Sequence, residues 1–197
     1  NYSSTSNLYN AFGIRIAGGT NTRIYNNTIH QFGFVANGTA AGFSSNIIIT
    51  TTSGTGNLDL RNNILNNSTE FATSGSVIYN VHAPAGFVFG NINNNNYSGT
   101  TTATSTYRVG SLGSNANTLA DWKAATTRDS ISSAITPNFL SNTNLRLNTL
   151  TNNLLNNTGA PLAAVATDID GVTRNATTPD MGIAEFEPMP GVNMGGA

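Results

Sequence analysis

Leu58-Asp59-Leu60-Arg61-Asn62-Asn63-Ile64-Leu65-Asn66-Asn67 alternates apolar with charged residues, breaks at an Asn pair and then takes a second apolar step. Successive side chains of a strand point to opposite faces, so Leu58 and Leu60 share one face and Asp59 and Arg61 the other. An Asn pair suits the break because Asn enters the left-handed region at less cost than other residues that carry a side chain. Thr22-Arg23-Ile24-Tyr25-Asn26-Asn27-Thr28-Ile29 repeats the pattern upstream, and Phe87-Val88-Phe89-Gly90-Asn91-Ile92 is a looser copy downstream. Strand, Asn turn and strand, repeated, predict a solenoid of stacked coils in which each coil buries its apolar face with its neighbours. Ile24 to Leu60 is a step of 36 residues and Leu60 to Phe89 one of 29, so coil and loop lengths vary. Arg23 and Asp59 take equivalent outward positions, where neighbouring coils would let them pair at the surface for little gain.

Working outward, composition sets limits. The chain of 197 residues has the length of one ordinary domain. Charged residues make up 9% and the net charge is -1, which leaves no electrostatic footprint for nucleic acid or an anionic membrane. Asn (31), Thr (28) and Ser (17) dominate, yet 38% of residues are hydrophobic and many alternate, which argues for order over a disordered polar tract. Stacked coils suit this bias, since amides one above another form hydrogen-bonded ladders and Thr favours strands. There is no Cys, hence no disulfide and no thiolate metal site. No apolar run is long enough to span a bilayer. Asn1-Tyr2-Ser3-Ser4 is no signal peptide, and the start without Met suggests a mature or truncated product with coils upstream.

Along the chain, Gly13-Ile14-Arg15-Ile16 reads as the first strand, Asn46-Ile47-Ile48-Ile49 as a strand buried on both sides, and Ser76 to Val81 as another. Residues 50–56 form a turn cluster, and residues 91–99 close the regular part. At Thr118-Leu119-Ala120-Asp121-Trp122 the period changes, and Thr118 with Asp121 makes a capping-box pattern for one short helix. The only Trp packs that helix onto the coils, with sugar stacking as the alternative. The expected organisation is parallel coils over 1–117, helix, last strands and C-terminal cap over 118–187, and a linker or tail over 188–197.

A set of short motifs in the second half adds to this. They are Asn94-Asn95-Asn96-Tyr97, Leu119-Ala120-Asp121-Trp122, Asp129-Ser130, Pro137-Asn138-Phe139 and Leu145-Arg146-Leu147. Asp168-Ile169-Asp170-Gly171-Val172-Thr173-Arg174 and Asp180-Met181-Gly182-Ile183-Ala184-Glu185-Phe186 follow. In order and spacing they resemble the C-terminal end of secreted Bacteroidota-type right-handed parallel β-helix proteins, over about half the chain. Two departures are Gly159-Ala160-Pro161-Leu162-Ala163, which keeps little of the family's segment there, and Ile183 ahead of Ala184. The resemblance implies export, often by type IX secretion, and an extracellular or cell-surface location. It leaves function open, because this fold carries lyases, hydrolases, epimerases and adhesins.

The acids decide how far a catalytic reading goes. Polysaccharide lyases of this fold use Ca²⁺ held by carboxylates with an Arg or Lys base, and its hydrolases use close Asp pairs. Before Asp121 the chain has only Asp59, on an outward strand position, and Glu70, placed in a following loop. No catalytic, cofactor-binding or metal-binding residue is therefore assigned, and whether the chain is an enzyme stays open, leaning against. Asp168-x-Asp170-Gly171 invites Ca²⁺, but Arg174 nearby favours a cap in which Asp168 or Asp180 pairs with it and seals the end of the stack. His30 and His82 read as isolated turn or surface residues. Asp129-Ser130-Ile131 matches an O-glycan acceptor tripeptide weakly. The reading is an all-β right-handed parallel β-helix acting without catalysis in adhesion, glycan contact or as a stalk. Its expected partner is a polysaccharide or surface glycan, with further domains of a longer chain. The alternatives are the C-terminal part of a lyase or glycoside hydrolase with its active coils upstream, and a filament subunit.

Overall fold

The computed structural model describes residues 10–36, 39–52 and 57–189. The readings of residues 1–4 and 191–197, and most of the 50–56 cluster, lie outside them. The architecture is all-β with one helix. Nine strands come in three sets of three: β1 (Asn10–Ile16), β2 (Arg23–Tyr25) and β3 (Thr28–Val35); β4 (Phe43–Ile49), β5 (Asp59–Arg61) and β6 (Ile64–Phe71); β7 (Ser76–Ala83), β8 (Asn91–Asn93) and β9 (Asn96–Gly99). Each set contributes one strand to each of three sheets, β1-β4-β7, β2-β5-β8 and β3-β6-β9, all paired in parallel. β10 (Ser105–Leu112) extends the first sheet in parallel, and β11 (Asn115–Ala116) turns back against it.

The opening stretch is the middle member of the second and third sheets. Ile24, Leu60 and Ile92 stand in register and are all buried. With Ile16, Ile47, Ile49, Leu65 and Val81 they form one core between the sheets. The upstream step of 36 residues is as expected. The downstream copy is not: Leu60 pairs with Ile92, so residues 91–97 are the true repeat. Phe87 and Phe89 precede β8, and their rings pack edge to face at 4.9 Å inside the core. Asn91-Ile92-Asn93 carries a single apolar residue, so the apolar run Phe87-Val88-Phe89 looked the more strand-like, although Val88 is exposed.

Each Asn pair turns as its chemistry suggests. Asn26, Asn62 and Asn94 adopt φ of 53°, 59° and 52°. Their successors face inward and stack. The Asn27 N–H donates to Asn63 Oδ1 (3.0 Å), that of Asn63 to Asn95 Oδ1 (3.0 Å), and that of Asn95 to Ser132 Oγ (2.7 Å). Regularity does not stop at Gly99. Ser133 bridges Asn96 in parallel and the Asp129 N–H reaches the Ile92 carbonyl (3.1 Å), so 129–133 begins a further, irregular layer.

Helix α1 (Leu119–Thr126) starts at the expected capping box, with Thr118 as its N-cap. Its Trp122 is fully buried beneath β10, in the core with Phe89 and Tyr97. A Cβ on Gly110 would lie 2.6 Å from the Trp122 ring, so only glycine lets the indole approach. The helix therefore covers this end of the core. The C-terminal segment, expected there, runs instead along the side. Its hairpin of β12 (Phe139–Ser141) and β13 (Asn144–Leu147) precedes a second apolar cluster, in which Leu147, Leu155 and Met181 pack on Ile64. From there the backbone follows the column of left-handed Asn residues. Asn94 Nδ2 donates to Thr158 O (3.1 Å), Asn62 Nδ2 to Ala160 O (2.7 Å) and Asn26 Nδ2 to Asp180 O (3.2 Å). The Ala160 N–H returns a bond to Asn62 Oδ1 (2.9 Å). Corner amides that point outward need partners, and a segment laid along the corner supplies them.

Asn62 thus does two separable things, and two substitutions divide them. Asn62→Ala should lower unfolding stability by about 3 kcal/mol, from the left-handed backbone and two lost hydrogen bonds. Asn62→Gly should recover about 1 kcal/mol of that, the backbone share alone. Urea unfolding of the two variants checks the difference, which vanishes if the turn does not need positive φ.

Candidate functional site on the outward sheet faces

Alternation that sends Ile24, Leu60 and Ile92 inward sends two columns outward on the β2-β5-β8 sheet. These are Arg23, Asp59 and Asn91, and Tyr25, Arg61 and Asn93. Arg61 grips Asp59 with two nitrogens, Nε to Oδ1 and Nη2 to Oδ2, both at 2.7 Å. The Tyr25 hydroxyl donates to Oδ2 at 2.5 Å, and the Arg61 guanidinium lies 5.2 Å from the centre of the Tyr25 ring. Partial burial works to raise the Asp59 carboxyl, but the hydrogen bonds from Arg61 and Tyr25 and the positive charges outweigh it and hold it below its usual value. Burial and the bond to Asp59 raise the Tyr25 hydroxyl. Arg23 stands in register with Asp59, as expected, yet the ion pair goes to Arg61 because a bidentate grip is the stronger one.

The β1-β4-β7 sheet carries a row of rings on its outer face. Phe12 and Phe43 lie 5.3 Å apart, Phe43 and His82 5.4 Å, and Tyr79 and His82 5.0 Å. Tyr79 is fixed by its hydroxyl, which donates to Asn115 Oδ1 at 2.9 Å. A second group on β3 joins His30 to Phe32 (4.9 Å) and Phe139 (5.2 Å), and leaves Phe32 and Phe34 about half exposed. Neither histidine lies in a turn. Both sit on strands and are half-buried against rings, and burial lowers both pKa values, which favours neutral imidazole at pH 7. The sequence signal for the row was weak, because Phe12 and Phe43 lie 31 residues apart, and Phe43 and His82 39, on neighbouring strands that meet only once register is known.

The late acids are engaged locally. Asp168 accepts the N–H groups of Asp170, Val172 and Glu185, and Asp170 pairs with Arg146. Asp168-x-Asp170-Gly171 is therefore a hydrogen-bonded turn. Arg174 does not pair with Asp168 or Asp180: its ion pair is with Glu185 at 2.7 Å, and it donates to the carbonyls of Asp180 and Gly182. Among the described residues no group of three or more His, Asp or Glu side chains could hold a metal ion. Glu70 lies inside β6, not in a loop, and Asp59 belongs to a different sheet. Asp129 is buried, and the Tyr97 hydroxyl (2.5 Å), Trp122 Nε1 (2.9 Å) and Ser132 Oγ all donate to it. It locks α1 to the core, while Ser130 beside it is exposed.

Family models, curated proteins and solved structures contain no match to this chain.

Burial lifts Asp180 to about 6, against the pull of two N–H donors, Asn157 and Phe186, with Glu185 and Glu187 adding to the rise. An acid whose folded pKa exceeds its unfolded value, about 3.9, contributes stability that is full below the unfolded value and lost as pH rises through the folded one. The side-packed segment should therefore hold more firmly at pH 5 than at pH 7.5. Limited proteolysis of 157–186 should be slower at pH 5, and Asp180→Asn should remove most of that difference.

Proposed function

We propose that the chain is a right-handed parallel β-helix module of a secreted or cell-surface protein and that it contacts glycan without cleaving it, in adhesion or as a stalk. Three parallel sheets entered in the same order support the solenoid reading, and crossovers between parallel strands are right-handed in nearly all proteins. The observation that carries the glycan reading is the outer row of Phe12, Phe43, Tyr79 and His82. The three strands bring the rings to centroid spacings of 5.0–5.4 Å, each tilted by 46–52° to the next, with Tyr79 buried behind the partly exposed Phe12 and Phe43. Exposed aromatic faces suit the apolar faces of sugar rings.

A second reading, the C-terminal part of a lyase or hydrolase with its active coils upstream, draws on the other end of the stack. Among the described residues β1, β2 and β3 each pair along one edge only, which would accept a preceding coil. A filament subunit is disfavoured by the position of α1, which covers the opposite end and obstructs head-to-tail stacking.

Incubation with neutral and acidic polysaccharides, with and without Ca²⁺, separates these readings. Retention on a neutral glycan such as dextran or soluble cellulose, without cleavage, is the expected result. Phe43→Ala should weaken it about fivefold, the equivalent of about 1 kcal/mol for one lost ring contact. Chain cleavage would overturn the non-catalytic reading.

A further inference from the structure

The β2-β5-β8 face holds a second feature, distinct from the ring row. The Asp59 carboxylate is saturated by Arg61 and Tyr25, so it has little left to offer Arg23. The Arg23 side chain is exposed and forms no hydrogen bond or ion pair among the described residues. It stands between two shallow clefts, one of about 270 Å³ bounded by Tyr25, Arg61 and Leu162, the other of about 300 Å³ bounded by Asn57, Gly90 and Asn91. Arg23 and Asp59 line both, so the clefts meet across that column. Arg128, from the loop after α1, donates to the carbonyl of Gly90 (3.3 Å) and places another guanidinium beside the second cleft. Three of the eight basic residues thus gather on one face with one of the nine acids, in a chain whose net charge is -1.

We propose that this face is an anion-binding groove, in which Arg23 takes the carboxylate or sulfate of an acidic polysaccharide with support from Arg61 and Arg128. A guanidinium matches a planar carboxylate or a sulfate edge with two parallel N–H donors. Tyr25 and Asp59 hold Arg61 in place and cancel one charge, which leaves the groove positive without a desolvated, unpaired cation beneath it. The clefts lie near the lower end of the range for small-ligand sites, about 300 Å³, and being open and joined they suit successive residues of a chain better than an enclosed small molecule. The proposal goes beyond the glycan reading by adding an acidic ligand class to the neutral one, and because it rests on different residues it stands or falls alone.

Binding of the full chain to polygalacturonate (carboxylate), dextran sulfate (sulfate), uncharged dextran and duplex DNA, each at 20 and 200 mM NaCl, tests it. The expected result is binding to one or both acidic polysaccharides that weakens at high salt and falls at least tenfold in Arg23→Ala, with Arg23→Lys intermediate. Which of the two binds identifies the anionic group. Arg23 is exposed, and an unchanged thermal midpoint for both variants verifies that the fold is intact. Undiminished binding in Arg23→Ala overturns the proposal, as does equal binding to duplex DNA, which would mean charge attraction alone. Dextran binding that depends on Phe43, with no acidic polysaccharide bound, overturns the groove and leaves the ring row standing. Acidic polysaccharide binding that depends on Arg23 and ignores Phe43→Ala supports the groove.

Discussion

The structure depends on the inward amide column at the corner of its second and third sheets. Asn27, Asn63, Asn95 and Ser132 sit one above another, and the side-chain oxygens of Asn63, Asn95 and Ser132 accept the main-chain N–H of Asn27, Asn63 and Asn95 in the neighbouring layer. The Asn63 amide group also donates to the carbonyls of Ile24 and Arg61, both at 2.9 Å, so it satisfies the corner where the strands break. A turn inside a core would otherwise leave several main-chain groups unpaired, at about 1–3 kcal/mol each. With the column in place, the chain can bend sharply between sheets and keep its apolar residues on the inside.

This explains how so polar a sequence has a core at all. Asn46, Asn63, Asn67, Asn80, Asn95 and Asn96 are wholly shielded from solvent. Each is bonded to another layer or to a neighbouring sheet: Asn80, for example, donates to Asn46 and to the carbonyls of Leu65 and Ser98. Amides used in this way act across layers as hydrophobic contacts do, but with direction, so they fix register as well as adhesion. The fixed register is then what gives the outer faces their character. Residues far apart in sequence become columns, and columns become a row of rings on one sheet and a guanidinium-rich groove on another. The third sheet is largely occupied by the protein's own C-terminal segment, which uses the outward Asn of each turn as its points of attachment.

Much of this architecture was legible because Asn pairs and alternating residues report directly on backbone conformation. Asn26 and Asn62 revealed the turns, and Ile24 and Leu60 the register between the first two layers. The capping box at Thr118 and Asp121 marked the start of the helix to the residue. Where reading failed, the cause was a contact that local pattern does not encode. Phe87 and Phe89 looked like strand residues because their apolarity serves the core from a loop. Arg174 stood near three acids, and only the fold decides that Glu185 comes within reach. The C-terminal segment looked like an end cap because nothing in its own sequence states that its hydrogen-bonding partners are the turn residues Asn26, Asn62 and Asn94. The groove was half legible: Arg23 and Asp59 were placed side by side by the repeat, but the preference of Asp59 for Arg61, which frees Arg23, depends on side-chain geometry within one strand.

Amide hydrogen exchange of Asn27, Asn63 and Asn95, in the native chain and in Asn63→Ala, tests the central claim about the column most directly. These three N–H groups donate to side chains at a corner. If the column holds the layers together, all three exchange as slowly as the buried strand amides of Leu60 and Leu65. Loss of the Asn63 oxygen then speeds exchange at Asn27 by at least tenfold more than at Leu65. Fast exchange of the three in the native chain, at the rate of ordinary surface turns, would contradict the account.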